Sequence, residues 1–179
     1  MKNYPAYYCT LGEILDRQSE SNGERVFLQY EEEQTVTYRM ANERANRIAN
    51  GLIQLGIQKG DKVATFLPNC LECLFLWFGI SKSGAIDVPI NLANKGYFLS
   101  HQINDSEAKV LIIDQTLVDR LELIQNDLPK LEKVVLWAKT APIEDLPRLI
   151  FECVDYQILL GAAPGSPHID IKPTDTQTI

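Results

Sequence analysis

The feature that most constrains this chain is an alternation. Short runs of β-branched and aliphatic residues at 62–67, 85–90, 109–114 and 133–137 are each separated from the next by a stretch with helical spacing. The runs are short and almost uniformly apolar, so they read as strands covered on both faces. Parallel neighbours need a crossover of about a dozen residues or more, which the helical stretches supply. The expected fold is therefore α/β and layered, a mainly parallel sheet with flanking helices.

The connecting segments carry their own start and stop signals. Thr10 stands three residues before Glu13, the spacing of a capping box, and Leu11, Ile14 and Leu15 give the helix that follows one apolar face. Residues 25–30 alternate as a short strand, Glu31-Glu32-Glu33 reads as a solvated turn, and 35–38 can return antiparallel. Thr37 can cap a helix in which Tyr38, Ala41, Ala45, Ile48, Ala49, Leu52 and Leu55 recur at three- and four-residue steps, with Gly56 as its stop. Residues 70–83 are apolar nearly all round, which predicts a helix buried on most of its surface and closed by Gly84. Helices are also expected over 97–104 and 116–125. Beyond Trp137 the pattern decays: Pro142, Pro147, Pro164, Pro167 and Pro173 leave 138–179 a Pro-rich, less regular segment. It holds one expected helix near 151–160 and the beginning of a strand at 176–179.

Composition removes several classes of function. Lys and Arg number 17 against 24 Asp and Glu, a net charge of −7, and such a surplus of acid argues against a nucleic-acid partner. The most apolar stretch, 71–80, is interrupted by Glu72 and falls short of a membrane span. The first twenty residues lack a continuous apolar core, and Glu13, Asp16 and Glu20 do not suit a transit peptide. The expectation is a soluble chain in the cytoplasm with reduced thiols, since four cysteines do not form a disulfide framework at this length.

Motifs that carry chemistry are sparse. Neither Gly-x-Gly-x-x-Gly nor Gly-x-x-x-x-Gly-Lys occurs, and the two histidines, His101 and His168, stand far apart in sequence. Cys70-Leu71-Glu72-Cys73 has the spacing of a zinc half-site or a redox pair. Zinc would need two further ligands, and Cys9 and Cys153 stand alone. A redox pair would need exposure, whereas Cys73 lies among Leu74, Phe75 and Leu76, where cysteine behaves as a small buried hydrophobe. Gly60 and Asp61 could touch a ligand but read first as a turn. On residue chemistry alone no catalytic, cofactor-binding or metal-binding residue is assigned.

Seven segments in order carry more information than any one of them. Thr37-Tyr38, Ala45-Asn46-Arg47-Ile48-Ala49-Asn50-Gly51-Leu52, Gly56-Ile57-Gln58-Lys59-Gly60-Asp61-Lys62-Val63-Ala64, Leu67-Pro68-Asn69, Gly79-Ile80-Ser81-Lys82-Ser83-Gly84-Ala85-Ile86, Val88-Pro89-Ile90-Asn91 and Asp105-Ser106-Glu107-Ala108-Lys109-Val110-Leu111-Ile112 follow one another. This succession resembles the N-terminal portion of the acyl-adenylate-forming synthetases. Asn91 is more similar to acyl-CoA synthetases than to peptide-synthetase adenylation domains, and the block around Trp77-Phe78-Gly79 resembles carnitine and crotonobetaine CoA ligases. Arg39-Met40 departs from the acidic residue and Leu usual after Thr-Tyr, so altered cap chemistry is expected there.

The resemblance implies an enzyme that converts a carboxylate to an acyl-adenylate with ATP and Mg²⁺ and then passes the acyl group to CoA. It also implies a Ser/Thr/Gly-rich phosphate loop ending in Pro-Lys-Gly and a lysine on a mobile C-terminal domain. Neither occurs in this sequence, and residues 172–179 resemble the stretch leading into that loop. The expectation is a truncated N-terminal subdomain over 1–179, inactive alone, whose partner is the remainder of the synthetase or a second copy meeting it through the cut surface. Two alternatives stay open: a free-standing binding or interaction module, and an unrelated doubly wound enzyme with its ligand at a strand-order switch point.

Overall fold

The computed structural model describes residues 9–30, 34–139, 143 and 147–179, so the Glu31-Glu32-Glu33 turn and Pro142 lie outside the described residues. Helix α1, Leu11–Asn22, begins with the capping box: Glu13 N–H donates to Thr10 Oγ1 at 3.2 Å and Thr10 N–H to Glu13 Oε2 at 2.9 Å. Strands β1, Val26–Tyr30, and β2, Gln34–Thr37, pair antiparallel. Thr37 then caps α2, Tyr38–Gln54, accepting from Met40 N–H at 3.3 Å. The cap survives the unusual Arg39, which turns away to meet Glu24 at 2.7 Å.

Five parallel strands form the sheet: β3, Lys62–Phe66; β4, Ile86–Pro89; β5, Val110–Asp114; β6, Lys133–Trp137; and β7, Glu152–Asp155. Their order is β4-β3-β5-β6-β7. The chain steps one way from β3 to β4 and the other way afterwards. Right-handed crossovers then put α3, Leu71–Lys82, on one face and α4, Tyr97–Ser106, and α5, Val118–Glu122, on the other. Strand alternation serves both faces. Val110, Ile112, Val135 and Trp137 join the core beneath α2 and α3, while Leu111, Ile113, Val134 and Leu136 join the core beneath α4 and α5.

Two expectations are corrected. The helix expected near 151–160 is confined to α6, Gln157–Leu160, and Glu152–Asp155 is a strand. The open edge of β6 offers backbone partners to an extended segment, and Cys153 and Val154 alternate between the two cores as a strand allows. The helix expected over 116–125 is broken. Asp114 accepts from Thr116 N–H and Oγ1–H, each at 2.8 Å, and so opens a 3₁₀ turn at Gln115–Leu117; α5 is short, and a second 3₁₀ turn follows at Gln125–Asp127.

Close approach fixes how the helices cross. A Cβ on Gly79 would lie 2.5 Å from Ile48 Cγ2, and one on Gly51 would lie 2.6 Å from Leu159 Cα, so α3 and α6 sit on α2 at distances that only glycine permits. The polar side of α2 is covered too. Asn46 donates to Pro164 O at 2.8 Å, Arg47 to Ala162 O at 2.7 Å, and Asn50 to Ala163 O and Gly165 O at 2.8 Å each. These side chains hold a strap that carries the chain back over α1 and α3. At its end Asp87 N–H donates to Gln177 O at 2.9 Å and Ile179 N–H to Asp87 O at 3.1 Å, so 177–179 starts to pair parallel with β4. No described helix is long and apolar enough to cross a membrane.

Candidate functional site

Open parallel sheets take ligands at the carboxyl ends of their strands. At that end of β3 and β4, on the α3 side, lies a cavity of about 700 Å³ walled by Cys70, Cys73, Trp77, Thr65, Asp87 and Thr178 among others. Local sequence explains the wall. Pro68 and Asn69 end the strand, Cys70 becomes the N-cap of α3 in extended conformation, and Cys73 stands one turn further on, facing the same way. The Cys70 side chain makes no cap hydrogen bond. Its sulfur meets Cys73 Sγ at 3.6 Å instead, and Cys73 S–H donates to Pro68 O at 3.2 Å.

Cys73 is half-buried rather than enclosed, unlike its neighbours Phe75 and Leu76, which are buried. It packs against the core with part of its surface open to the cavity, where the sequence suggested full burial. Its hydrogen bond with Cys70 pulls the Cys73 thiol down to about 7, against burial and the nearby carboxylates Asp87 and Glu72. The same hydrogen bond, together with burial, pushes Cys70 up. The contact thus favours charge on Cys73 and disfavours it on Cys70.

Asp87 is a residue that sequence reasoning missed. It stands mid-strand in β4 on the α3 side, only 6% exposed, and accepts from Thr65 Oγ1–H at 3.2 Å. Burial raises its carboxyl to about 6, opposed by the Thr65 hydroxyl and the Val88 amide. A single acid in an apolar strand was the available signal, with nothing local to say which face it takes. Trp77 Nε1–H closes the outer rim on Thr178 Oγ1 at 3.1 Å.

The other residues singled out in the sequence are dispersed. His101 lies on the exposed side of α4, stacked on Tyr97 with ring centroids 5.8 Å apart. His168 lies on the strap with φ 54°, beside a separate cavity of about 230 Å³ that contains Lys82 and Asp16. Gly60 and Asp61 sit before β3, at the amino end of the sheet, where Asp61 accepts from Gln58 N–H at 2.9 Å and pairs with Lys109 at 2.8 Å. Cys153 packs with the opposite core, and Cys9 accepts from Arg17 at 3.2 Å. Among the described residues no three His, Cys, Asp or Glu side chains gather as a metal site.

Lys82, inside the apolar stretch of α3, is 3% exposed and donates to Asp16 at 2.7 Å and Asn46 at 2.8 Å. Burial pushes its ammonium down while Asp16 pulls it up. It ties three helices together and reads as a structural cation.

Two thiols, a carboxyl, a hydroxyl and an indole can exchange protons and thiol groups. They do not suit a triphosphate: no Lys, Arg or His lines this cavity among the described residues, and its one carboxyl makes at most one contact to Mg²⁺. ATP, Mg²⁺ and CoA, implied by the resemblance, find no fit here.

Comparison with known proteins supplies the frame for this geometry. The family model described as AMP-binding enzyme matches residues 15–179. A crotonobetaine/carnitine–CoA ligase of Citrobacter koseri is 34% identical over 140 residues, covering 75% of this chain and 27% of the relative. That of Salmonella typhimurium is 36% identical over 110 residues, 61% of this chain and 21% of the relative. Among solved structures, the N-terminal domain of FACL13 from Mycobacterium tuberculosis superposes with a TM-score of 0.75 at 26% identity, over 96% of this chain and 41% of that one. An anthranilate–CoA ligase, AuaEII, crystallised with anthranoyl-AMP, shares the fold at a TM-score of 0.75 and 24% identity. The chain thus spans about a quarter of the length of the curated relatives it matches. With the parallel sheet, the caps and the family match in agreement from Leu15 onward, the chain belongs to the AMP-binding enzyme family as its N-terminal part.

Proposed function

We propose that this chain is the framework portion of an ATP-dependent acyl-CoA synthetase acting on a small carboxylic acid of the carnitine or crotonobetaine type, and that it is inactive alone. The observation behind this reading is a family match over residues 15–179 combined with coverage of only 27% of the Citrobacter relative. The residues shared with the family serve here as caps, turns and core. ATP, Mg²⁺ and CoA are then ligands of the complete enzyme, met by segments beyond this portion. The purified chain should show no carboxylate-dependent exchange of pyrophosphate into ATP; exchange above a protein-free blank would overturn the reading. Sequencing downstream of codon 179 tests it independently, an open frame encoding a Ser/Thr/Gly-rich loop being the expected result.

The natural partner on this reading is the rest of the synthetase. Residues 177–179 cover one edge of β4 and present their own outer edge, where Ile179 is 59% exposed. An unpaired edge of this kind recruits another strand. The isolated chain should self-associate there and bind a hydrophobic dye. A monodisperse monomer at tens of micromolar by light scattering, with no dye binding, would favour a free-standing module instead.

A further inference from the structure

We propose that Cys70 and Cys73 are a reversible dithiol that closes to a disulfide by exchange with a small-molecule disulfide such as oxidised glutathione. Three observations carry this. The sulfurs are already in contact at 3.6 Å, so closure needs a contraction of about 1.5 Å, within reach of side-chain rotation across one helical turn. Both cysteines line a cavity of about 700 Å³ next to the exposed Asn69, which gives a small reagent access from solvent. The other two cysteines lie elsewhere: Cys153 packs with the opposite core and Cys9 stands before α1, and neither lines this cavity.

The groups around the pair favour one thiolate and disfavour two. The N-terminal end of α3, a helix of 12 residues, and the S–H···S hydrogen bond stabilise negative charge on Cys73. Glu72 on the same helix and Asp87 from β4 oppose it. The Cys73 thiolate attacks one sulfur of the incoming disulfide, forming a mixed disulfide and releasing one small thiolate. Cys70, losing its proton to that thiolate or to water, then attacks Cys73 Sγ and expels the second small thiol. The balance is two protein thiols and one small disulfide in, one protein disulfide and two small thiols out. The Cys73 hydrogen bond to Pro68 O is given up, and the 68–70 turn becomes covalently tied to the first turn of α3.

The test uses the full 179-residue chain in glutathione buffers of graded oxidised-to-reduced ratio, quenched in acid and alkylated. Trypsin releases Val63 to Lys82 as one peptide holding both cysteines and no others. The expected result is that this peptide, but not those with Cys9 or Cys153, appears two hydrogens lighter and unalkylated. Its oxidised fraction should follow the buffer ratio as a two-electron couple, with far-UV circular dichroism unchanged. Cys70→Ser should stop at a mixed disulfide between Cys73 and one glutathione, whereas Cys73→Ser, which removes the attacking sulfur, should leave Cys70 largely alkylatable. The proposal is overturned if both cysteines stay alkylatable across the series. It is equally overturned if the wild-type peptide accumulates glutathione adducts without closing, or if the pair instead holds one equivalent of zinc against a weak chelator.

Discussion

The two faces of the sheet are built from the same strands yet finished differently. On the α3 side, long helices cross at glycine-limited distances, a buried lysine joins three of them, and the strap seals the polar flank of α2. On the other side α4 has 10 residues and α5 has 5, the latter flanked by 3₁₀ turns, while Tyr97, Phe98 and Leu123 stand 74, 69 and 82% exposed. The first face tolerates little change because its elements constrain one another; the second is a simpler cover whose outer residues meet mainly neighbours on the same helix. Polar chemistry follows the same division, since Asp87, Thr65 and the cysteine pair all open toward the α3 side.

The sharpest way to break the contrast is at the crossing of α2 and α3. Gly79→Ala places a methyl carbon against Ile48 and 3.1 Å from Ala45 O, and should cost about 3 kcal/mol by urea denaturation. Combined with Ile48→Ala, which is itself costly, the loss should be smaller than the sum of the two single losses. A smaller loss is expected from Lys82→Met. It keeps the bulk of the side chain but leaves Asp16 and Asn46 without their donor, and about 2 kcal/mol should disappear from the unfolding free energy. Equal stability of this variant and wild type would mean the buried ion pair only breaks even with an apolar side chain.

Asp87, on the α3 side, lowers stability where its neighbours raise it. Its folded carboxyl titrates at about 6 against an ordinary value of 3.8. Between those values the unfolded chain has released the proton while the folded chain still holds it, so this group's contribution to stability falls as pH rises through the window and is lowest above it. Asp87→Asn should therefore stabilise the chain by about 1–2 kcal/mol near neutral pH, leave it unchanged near pH ~4, and flatten the dependence between. A variant with an unaltered slope would show that Asp87 is not the group responsible. The smallest effects separate the two covers: Asn50→Ala should cost about 1 kcal/mol and speed amide exchange over 161–179, whereas Leu123→Ser should stay within about 0.5 kcal/mol.

Local signals were legible in the sequence wherever a few neighbouring residues suffice. The Thr10–Glu13 box, the Thr37 cap and the stops at Gly56 and Gly84, with φ of 96° and 77°, are settled within one helical turn. The four apolar runs likewise announced buried parallel strands, because covering both faces removes the polar half of the usual alternation. Hydrophobicity alone could not assign a residue such as Val110 or Leu111 to one face or the other.

What the tertiary structure alone decided depends on partners distant in sequence. Residues 152–155 became a strand because β6 left an edge to pair with, and the polar stripe Asn46, Arg47 and Asn50 acquired a purpose from carbonyls more than a hundred positions away. Cys70 and Cys73 share the spacing of many helix starts. Only the turn at Pro68, the β4 edge bearing Asp87 and the rim closed by Trp77 on Thr178 turned that spacing into a pair of sulfurs at the wall of a cavity. Capping and backbone preference act over about four residues, whereas burial and strand pairing are set by what the rest of the chain brings alongside.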